Sequence, residues 1–411
     1  MHRRSLLKFL GGGGIVGLAG CSENATPSTG TDTRSTHPAT GTPSGFLNRE
    51  VPTARTTGAT TPQFQGAADH TGQLETTGPN EAVTTYWRRT PSRYEHSQPV
   101  VVDDSVYISF AGALIRLALS TGKERWRTNV GHSGASTPAI YDGTAYITVW
   151  NGGENVNRGL AAVDASSGEL EWRGVTDADI TTSPAATGDG VFVGGGYETT
   201  TVAAFDHDGT ERWRHELEEY ASTPAVAGEM VIYGSGSDAV VAYDAVSGER
   251  RWRVETDGDT SAAPTITDGR VLIGTRAGTL YALDIEDGAE EWAVTLPGAV
   301  RCSVAVADGT VVVPTEEALV GVDSAGTNRW TKTTLTGATE PIITGETVYL
   351  GDGRTVRALS LDDGMEMWAF ETRERTYTDV LLQGIQAAPT VTNGVVVVAS
   401  QTGDVYALGT E

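Results

Sequence analysis

Residues Ala282 to Trp292 read Ala-Leu-Asp-Ile-Glu-Asp-Gly-Ala-Glu-Glu-Trp, and Ala242 to Trp252 read Ala-Tyr-Asp-Ala-Val-Ser-Gly-Glu-Arg-Arg-Trp. Both place an aspartate, a glycine and a tryptophan at fixed intervals behind an alternating apolar run such as Leu280-Tyr-Ala-Leu-Asp284. Alternation with a period of two marks a half-buried strand. The Asp-to-Gly segment reads as a tight turn, because aspartate accepts local backbone N–H bonds and glycine tolerates positive φ. The tryptophan then falls on the following strand, with a ring large enough to pack on a neighbouring unit.

Outward from these two stretches the frame recurs. Its tryptophans are Trp87, Trp126, Trp172, Trp213, Trp252, Trp292, Trp330 and Trp368, spaced 38 to 46 residues apart, which is the span of one four-stranded propeller blade. All eight are expected to dock one blade against the next, a structural role. Glycine lies four residues before seven of them, from Gly122 and Gly168 to Gly326 and Gly364. A proline recurs as well, at Pro99, Pro138, Pro184, Pro224, Pro264, Pro341 and Pro389, with Val304 in the one exceptional unit. Proline suits the first residue of a strand, where no ladder bond needs its missing N–H. Each unit is therefore expected to run strand A from the proline, strand B, strand C, the glycine turn, and strand D bearing the tryptophan.

The last unit begins at Pro389 and stops at Glu411 without a tryptophan, while Trp87 stands unassigned at the other end. Thr84–Arg88 is expected to supply the missing outer strand, closing the ring and hiding sheet edges. The expectation is an all-β, eight-bladed propeller of four-stranded antiparallel blades over residues 81–411.

The Ala-x-Asp-x-x-x-Gly-x-x-x-Trp frame resembles the tryptophan-docking repeat of pyrroloquinoline-quinone (PQQ)-like proteins. That family includes quinoprotein alcohol dehydrogenases and the outer-membrane assembly lipoprotein BamB. The resemblance covers about residues 81–411 and implies the fold, while the docking tryptophans speak to blade packing and not to any cofactor.

The amino-terminal part gives an address. Arg3-Arg4 precedes an apolar, glycine-rich stretch from Leu6 to Ala19, too short for a spanning helix of about 20 apolar residues. It is similar to a twin-arginine (Tat) export signal over residues 1–20. Leu18-Ala19-Gly20-Cys21 resembles a lipobox, which implies lipidation of Cys21 and a chain held at the outer side of the cell membrane. Residues 21–80 are rich in Thr, Ser, Gly and Pro and are expected to form a flexible stalk, having little apolar surface to offset the entropy of ordering.

Charge narrows the partners. The formal net charge is −24, and all but three of the 29 basic residues are arginine. Nucleic acid is excluded, since phosphate binding needs a basic stripe that releases counterions. An acidic, lysine-poor chain resembles proteins of halophilic, here haloarchaeal, organisms, a matter of solubility.

Quinoprotein dehydrogenases, by the same resemblance, would bring PQQ with Ca²⁺ and often a stacked pair of adjacent cysteines. This chain has only Cys21 and Cys302, and its acidic clusters lack the spacing of a calcium loop. The seven histidines form no HxxxH or HExxH pattern, so neither a metal nor a catalytic residue is assigned. What stands out is where the repeat breaks. The interval from tryptophan to the next proline position is 11 or 12 residues, except 21 between Trp368 and Pro389. This expansion carries Arg373, Arg375 and Tyr377. A second lies between strands B and C of the second blade and carries Trp150, Asn151, Glu154, Asn155 and Arg158. In a propeller both loop types leave on one face, and insertions in repeat proteins mark the binding face. Arg301, in the connection that lost its proline, belongs to the same face. The function expected is a non-enzymatic, monomeric, lipid-anchored scaffold binding a protein or peptide there without a cofactor. The alternative is a PQQ-dependent oxidoreductase.

Overall fold

The structure, a computed structural model, describes residues 48–411 except 59, 93–95, 111, 132–135, 151–157, 197–198 and 378–379. The expected signal peptide, Cys21 and the first part of the expected stalk lie outside the described residues, as do Asn151, Glu154 and Asn155.

Eight antiparallel sheets follow one another along the chain. Blade 5 is representative: Thr265–Thr267, Arg270–Gly274, Thr279–Asp284 and Glu290–Thr295 pair in sequence as strands A to D. In blade 8, Thr390–Thr392, Val395–Ala399 and Val405–Gly409 form strands A to C, and Thr84–Arg89 pairs antiparallel to Val405–Gly409 as the outer strand. Blade 1 gains a fifth, innermost strand, Thr60–Thr61. Every C–D pair carries a register shift beside its tryptophan, as where Ala282 faces Trp292 but Leu283 faces Glu290. Such a bulge re-aims a side chain.

What it aims is the blade-to-blade contact. The Trp252 indole N–H donates to Ile285 O of the next blade at 2.8 Å, and Trp292 and Trp330 donate likewise to Ser324 O and Leu361 O, each at 3.0 Å. Earlier in the ring Trp126 donates to Ala165 O at 3.1 Å, Trp172 to His207 O at 3.0 Å, and Trp213 to Ala245 O at 3.1 Å. The ring lies on the turn glycine of that next blade: a Cβ on Gly288 would stand 2.9 Å from Trp252, and one on Gly168 would stand 2.8 Å from Trp126. Gly288 also has φ +74, so the position excludes other residues both by backbone conformation and by contact. The aspartate works as its turn chemistry implies. Asp244 Oδ1 accepts from the N–H of Val246 at 3.1 Å and of Ser247 at 2.7 Å, and Ser247, then Arg251, hold its carboxyl far below the usual range.

The described residues of 48–80 overturn the expected boundary at 81. They lie on and inside the ring. Thr60–Thr61 pairs with Val101–Val102 of blade 1. Thereafter the chain circles the axis, taking up one inner strand after another. Pro62 O accepts from Ile140 N at 2.7 Å, Gln63 Oε1 from Ala186 N at 3.0 Å, and Ala68 O from Val226 N at 2.7 Å. Asp69, Thr71 and Gly72 carbonyls accept from Ile266, Val306 and Ile343, each at 2.8 Å, and Thr77 O accepts from Gly394 N at 2.6 Å. All eight blades are thus touched by one belt. Scarcity of apolar residues did not prevent ordering, because the inner strands offer backbone donors that need partners once buried. Little more than Val51, Phe64 and Leu74 is buried from this segment's large apolar side chains.

Candidate binding face

Successive antiparallel strands put the A–B and C–D turns at one end of the ring and the B–C and D–A connections at the other. Between the two ends the belt closes the axis. Gln65 is fully buried; its backbone N–H donates to Gln98 Oε1 at 3.1 Å, and its Nε2 donates to Val304 O at 3.0 Å. These partners belong to blades 1 and 6, so Gln65 bridges the channel from wall to wall. On the B–C/D–A side, the residue before each inner strand's proline position is Gln, Thr, Ser or Ala, except Glu340. Burial pushes the Glu340 carboxyl up to about 7, against hydrogen bonds from its own backbone and that of Ala388.

The expansion before blade 8 is an extra hairpin, Arg375–Tyr377 paired with Val380–Leu382. Its root is fastened by Arg373, which ion-pairs with Asp404, a carboxylate with no exposed surface in the B–C connection of blade 8. Asp404 Oδ1 also accepts from Thr90 at 2.5 Å, and Oδ2 accepts from Thr402 at 2.9 Å. Burial raises the Asp404 pKa, but Arg373, Thr90 and Thr402 outweigh it and hold the carboxyl below its ordinary value. Arg375 reaches the Thr402 carbonyl at 3.5 Å. Beyond this root, Val380 and Leu381 are 58% and 50% exposed. The fastening residues Thr90 and Asp404 had no sequence signal: each looks like an ordinary turn residue until the fold joins them.

The remaining candidates are more dispersed. Arg158 faces Asp179 at 3.9 Å, and Arg301 pairs with Glu316 at 2.5 Å; Trp150 is half-buried. The acidic loops are partly engaged: Asp259 pairs with Arg276 at 3.2 Å, and Asp177 accepts from Arg214 at 3.0 Å. His207 has a structural role, with its ring nitrogens 2.8 Å from Tyr146 Oη and 2.9 Å from Thr187 O.

A PQQ–Ca²⁺ centre needs a flat stacking partner, cations for the carboxylates of the quinone, and clustered oxygen ligands for the ion. Among the described residues no group of three His, Cys, Asp or Glu is placed to hold a metal. The eight docking tryptophans, from Trp87 to Trp368, are committed to blade interfaces through their indole N–H groups. The described residues do not fit that centre.

Comparison with known proteins agrees with this architecture. The structure superposes on BamB from Moraxella catarrhalis with a TM-score of 0.64 at 18% identity, covering 80% of this chain and 100% of that one. It superposes on the quinohemoprotein alcohol dehydrogenase from Comamonas testosteroni with a TM-score of 0.70 at 16% identity, covering 85% and 80%. At these identities both likenesses speak for the fold alone. A curated relative, the serine/threonine-protein kinase AfsK of Streptomyces griseus, is 30% identical over 160 residues, 34% of this chain and 19% of the kinase, so the match spans about a fifth of that protein's length. The sequence pattern of the family described as outer membrane protein assembly factor BamB matches residues 80–199, 198–276 and 267–411. With nearly the whole ring matched, the chain belongs to that PQQ-like repeat family of β-propellers.

Proposed function

We propose that this chain is a non-enzymatic, extracytoplasmic propeller, lipid-anchored through Cys21, that binds a protein partner on its B–C/D–A face. The observation that carries this reading is the hairpin at 375–382, fastened by a buried ion pair yet presenting Val380 and Leu381 to solvent. A fastened root beside exposed apolar side chains is the arrangement expected of an interaction element, since less ordering is left to be done on binding. The family's name, outer membrane protein assembly factor, and the kinship to a kinase segment both suit a propeller serving larger assemblies.

The test is site-specific photocrosslinking in cells from position 380, with position 269 on the opposite face as control. A discrete adduct from 380, absent from 269 and lost in Val380→Ser/Leu381→Ser, supports the reading. No adduct from 380 in membranes that hold the protein would refute it. Metabolic labelling with a lipid precursor, abolished by Cys21→Ala, tests the anchor.

A further inference from the structure

We propose that the depression over the B–C/D–A end of blade 8 is a docking groove for an acidic peptide segment of the partner, with Arg375 reading its carboxylates. The inference rests on the binding reading above and names the chemistry of what binds. An open depression of about 560 Å³ lies beside the hairpin, lined by Thr90, Pro91, Ser92, Arg373 and Arg375. Among the described residues its lining holds hydroxyls and guanidinium groups and no carboxylate.

In a chain of net charge −24 that is unusual company. On the same face Arg158, Arg276, Arg301 and Arg354 each have a carboxylate within 4 Å. Arg373 has Asp404. Arg375 meets a neutral carbonyl, Thr402 O, at 3.5 Å, and among the described residues no carboxylate pairs with it. A second arginine stands at the rim: Arg127 Nη2 donates to Pro91 O at 3.1 Å while sharing Glu124. The groove therefore presents, in Arg375, a guanidinium that no described carboxylate offsets, in a molecule that is otherwise acidic, and an acidic group on a ligand is drawn to it.

The neighbouring tip selects a peptide over an acidic polysaccharide. Val380 and Leu381 are aliphatic and half exposed; they gain by covering another apolar side chain, whereas sugars offer mostly hydroxyls. An acidic segment flanked by an apolar residue matches both features.

The experiment measures fluorescence anisotropy of a labelled peptide alternating Glu and Leu, against Lys/Leu and Glu/Ser versions, on the folded full chain. Salt is kept where the thermal melt is unchanged. The Glu/Leu peptide is expected to bind, with affinity falling about tenfold or more in Arg375→Glu and falling again as salt screens the charges. Val380→Ser/Leu381→Ser should bring Glu/Leu binding down to the Glu/Ser level. Equal binding of the Lys/Leu peptide, or unchanged affinity in Arg375→Glu, overturns the proposal. So does binding of a uronic-acid polysaccharide at this groove in place of the acidic peptide. If the acidic preference is missing while crosslinking from position 380 persists, the proposal fails and the binding reading stands. If both are missing, both fail.

Discussion

Trp368 donates its indole N–H to the carbonyl of Pro79 at 2.7 Å, across 289 residues of chain. Every other docking tryptophan meets a carbonyl in the C–D turn of the next blade, as Trp87 meets Leu119 O at 2.7 Å. Blade 8 has no such turn, because its strand D arrives from the amino-terminal side. Pro79, just before that strand, stands in for the missing turn and accepts from Tyr349 Oη at 3.1 Å as well.

Shortening the chain from its amino-terminal side should therefore reveal two regimes. A chain begun at 81 keeps strand D but loses Pro79 and the belt. Each lost hydrogen bond costs about 1 kcal/mol, and a belt touching all eight blades sums toward the roughly 5–15 kcal/mol that holds an ordinary domain together. We expect the chain begun at 81 to lose cooperative unfolding by circular dichroism, while one begun at 48 melts as a single transition. Equal melting of the two would mean the belt is dispensable.

Two glycines separate backbone strain from packing. Gly288 and Gly269 both have positive φ, +74 and +76. A Cβ on Gly288 would meet Val254 Cγ2 at 2.7 Å and Trp252 at 2.9 Å, whereas Gly269 has nothing within 4 Å. Both alanine variants carry the left-handed cost of roughly 1–2 kcal/mol; Gly288→Ala adds about 1–3 kcal/mol of overpacking. Denaturant midpoints should rank wild type, then Gly269→Ala, then Gly288→Ala. Equal midpoints for the two variants would contradict tight docking of Trp252.

The ring was legible in the sequence because its determinants are side chains at fixed spacing: the turn aspartate, the glycine beneath the ring, the tryptophan itself. Trp126, Trp172 and Trp213 follow that spacing, and each meets the turn carbonyl its position implies. The belt was not legible. Its contacts are mostly carbonyls accepting from inner strands, and carbonyls belong to every residue, so Pro62, Ala68 and Gly72 carry no mark of their role. Gln63 and Gln65, the polar side chains that do the bridging, look like ordinary members of a Thr- and Gly-rich stalk. For the face, the longer interval before Pro389 located the hairpin, but its anchor Asp404 sits 31 residues from Arg373, and only the closed blade brings them together.

Glu340 makes a pH prediction whose sign can be worked out. Burial raises its folded value from 4.5 to about 7, so between these values the folded chain holds a proton that the unfolded chain has released. Stability from this group is full below 4.5 and is lost as pH rises through 7. Glu340→Gln removes the loss, and above pH 7 the variant should be more stable by roughly 3 kcal/mol. His70 and His96 act oppositely: burial lowers both from 6.5 to about 4, so their contribution is lost as pH falls through that window. The variant should raise the alkaline side of the stability profile and leave the acid limb in place. An unchanged alkaline side would mean that Glu340 is solvated.

The Arg373–Asp404 pair should behave asymmetrically when cut. Asp404 has no exposed side-chain surface, while Arg373 is 38% exposed. Arg373→Ala leaves a buried carboxylate short of its strongest partner, and such orphaned charges cost about 3–5 kcal/mol when fully enclosed; the remaining bonds from Thr90 and Thr402 should reduce this to about 2 kcal/mol. Adding Asp404→Asn removes the charge, so the double variant should recover part of the loss, a coupling that a thermodynamic cycle reads directly. Hydrogen exchange locates the effect. In Arg373→Ala, amides of 375–377 and 380–382 should exchange faster while those of blade 5 stay protected, because the pair fastens the hairpin root and not the ring. Uniform acceleration over all blades would show instead that the pair supports ring closure through blade 8, where Thr90 Oγ1, just after its strand D, meets Asp404 at 2.5 Å.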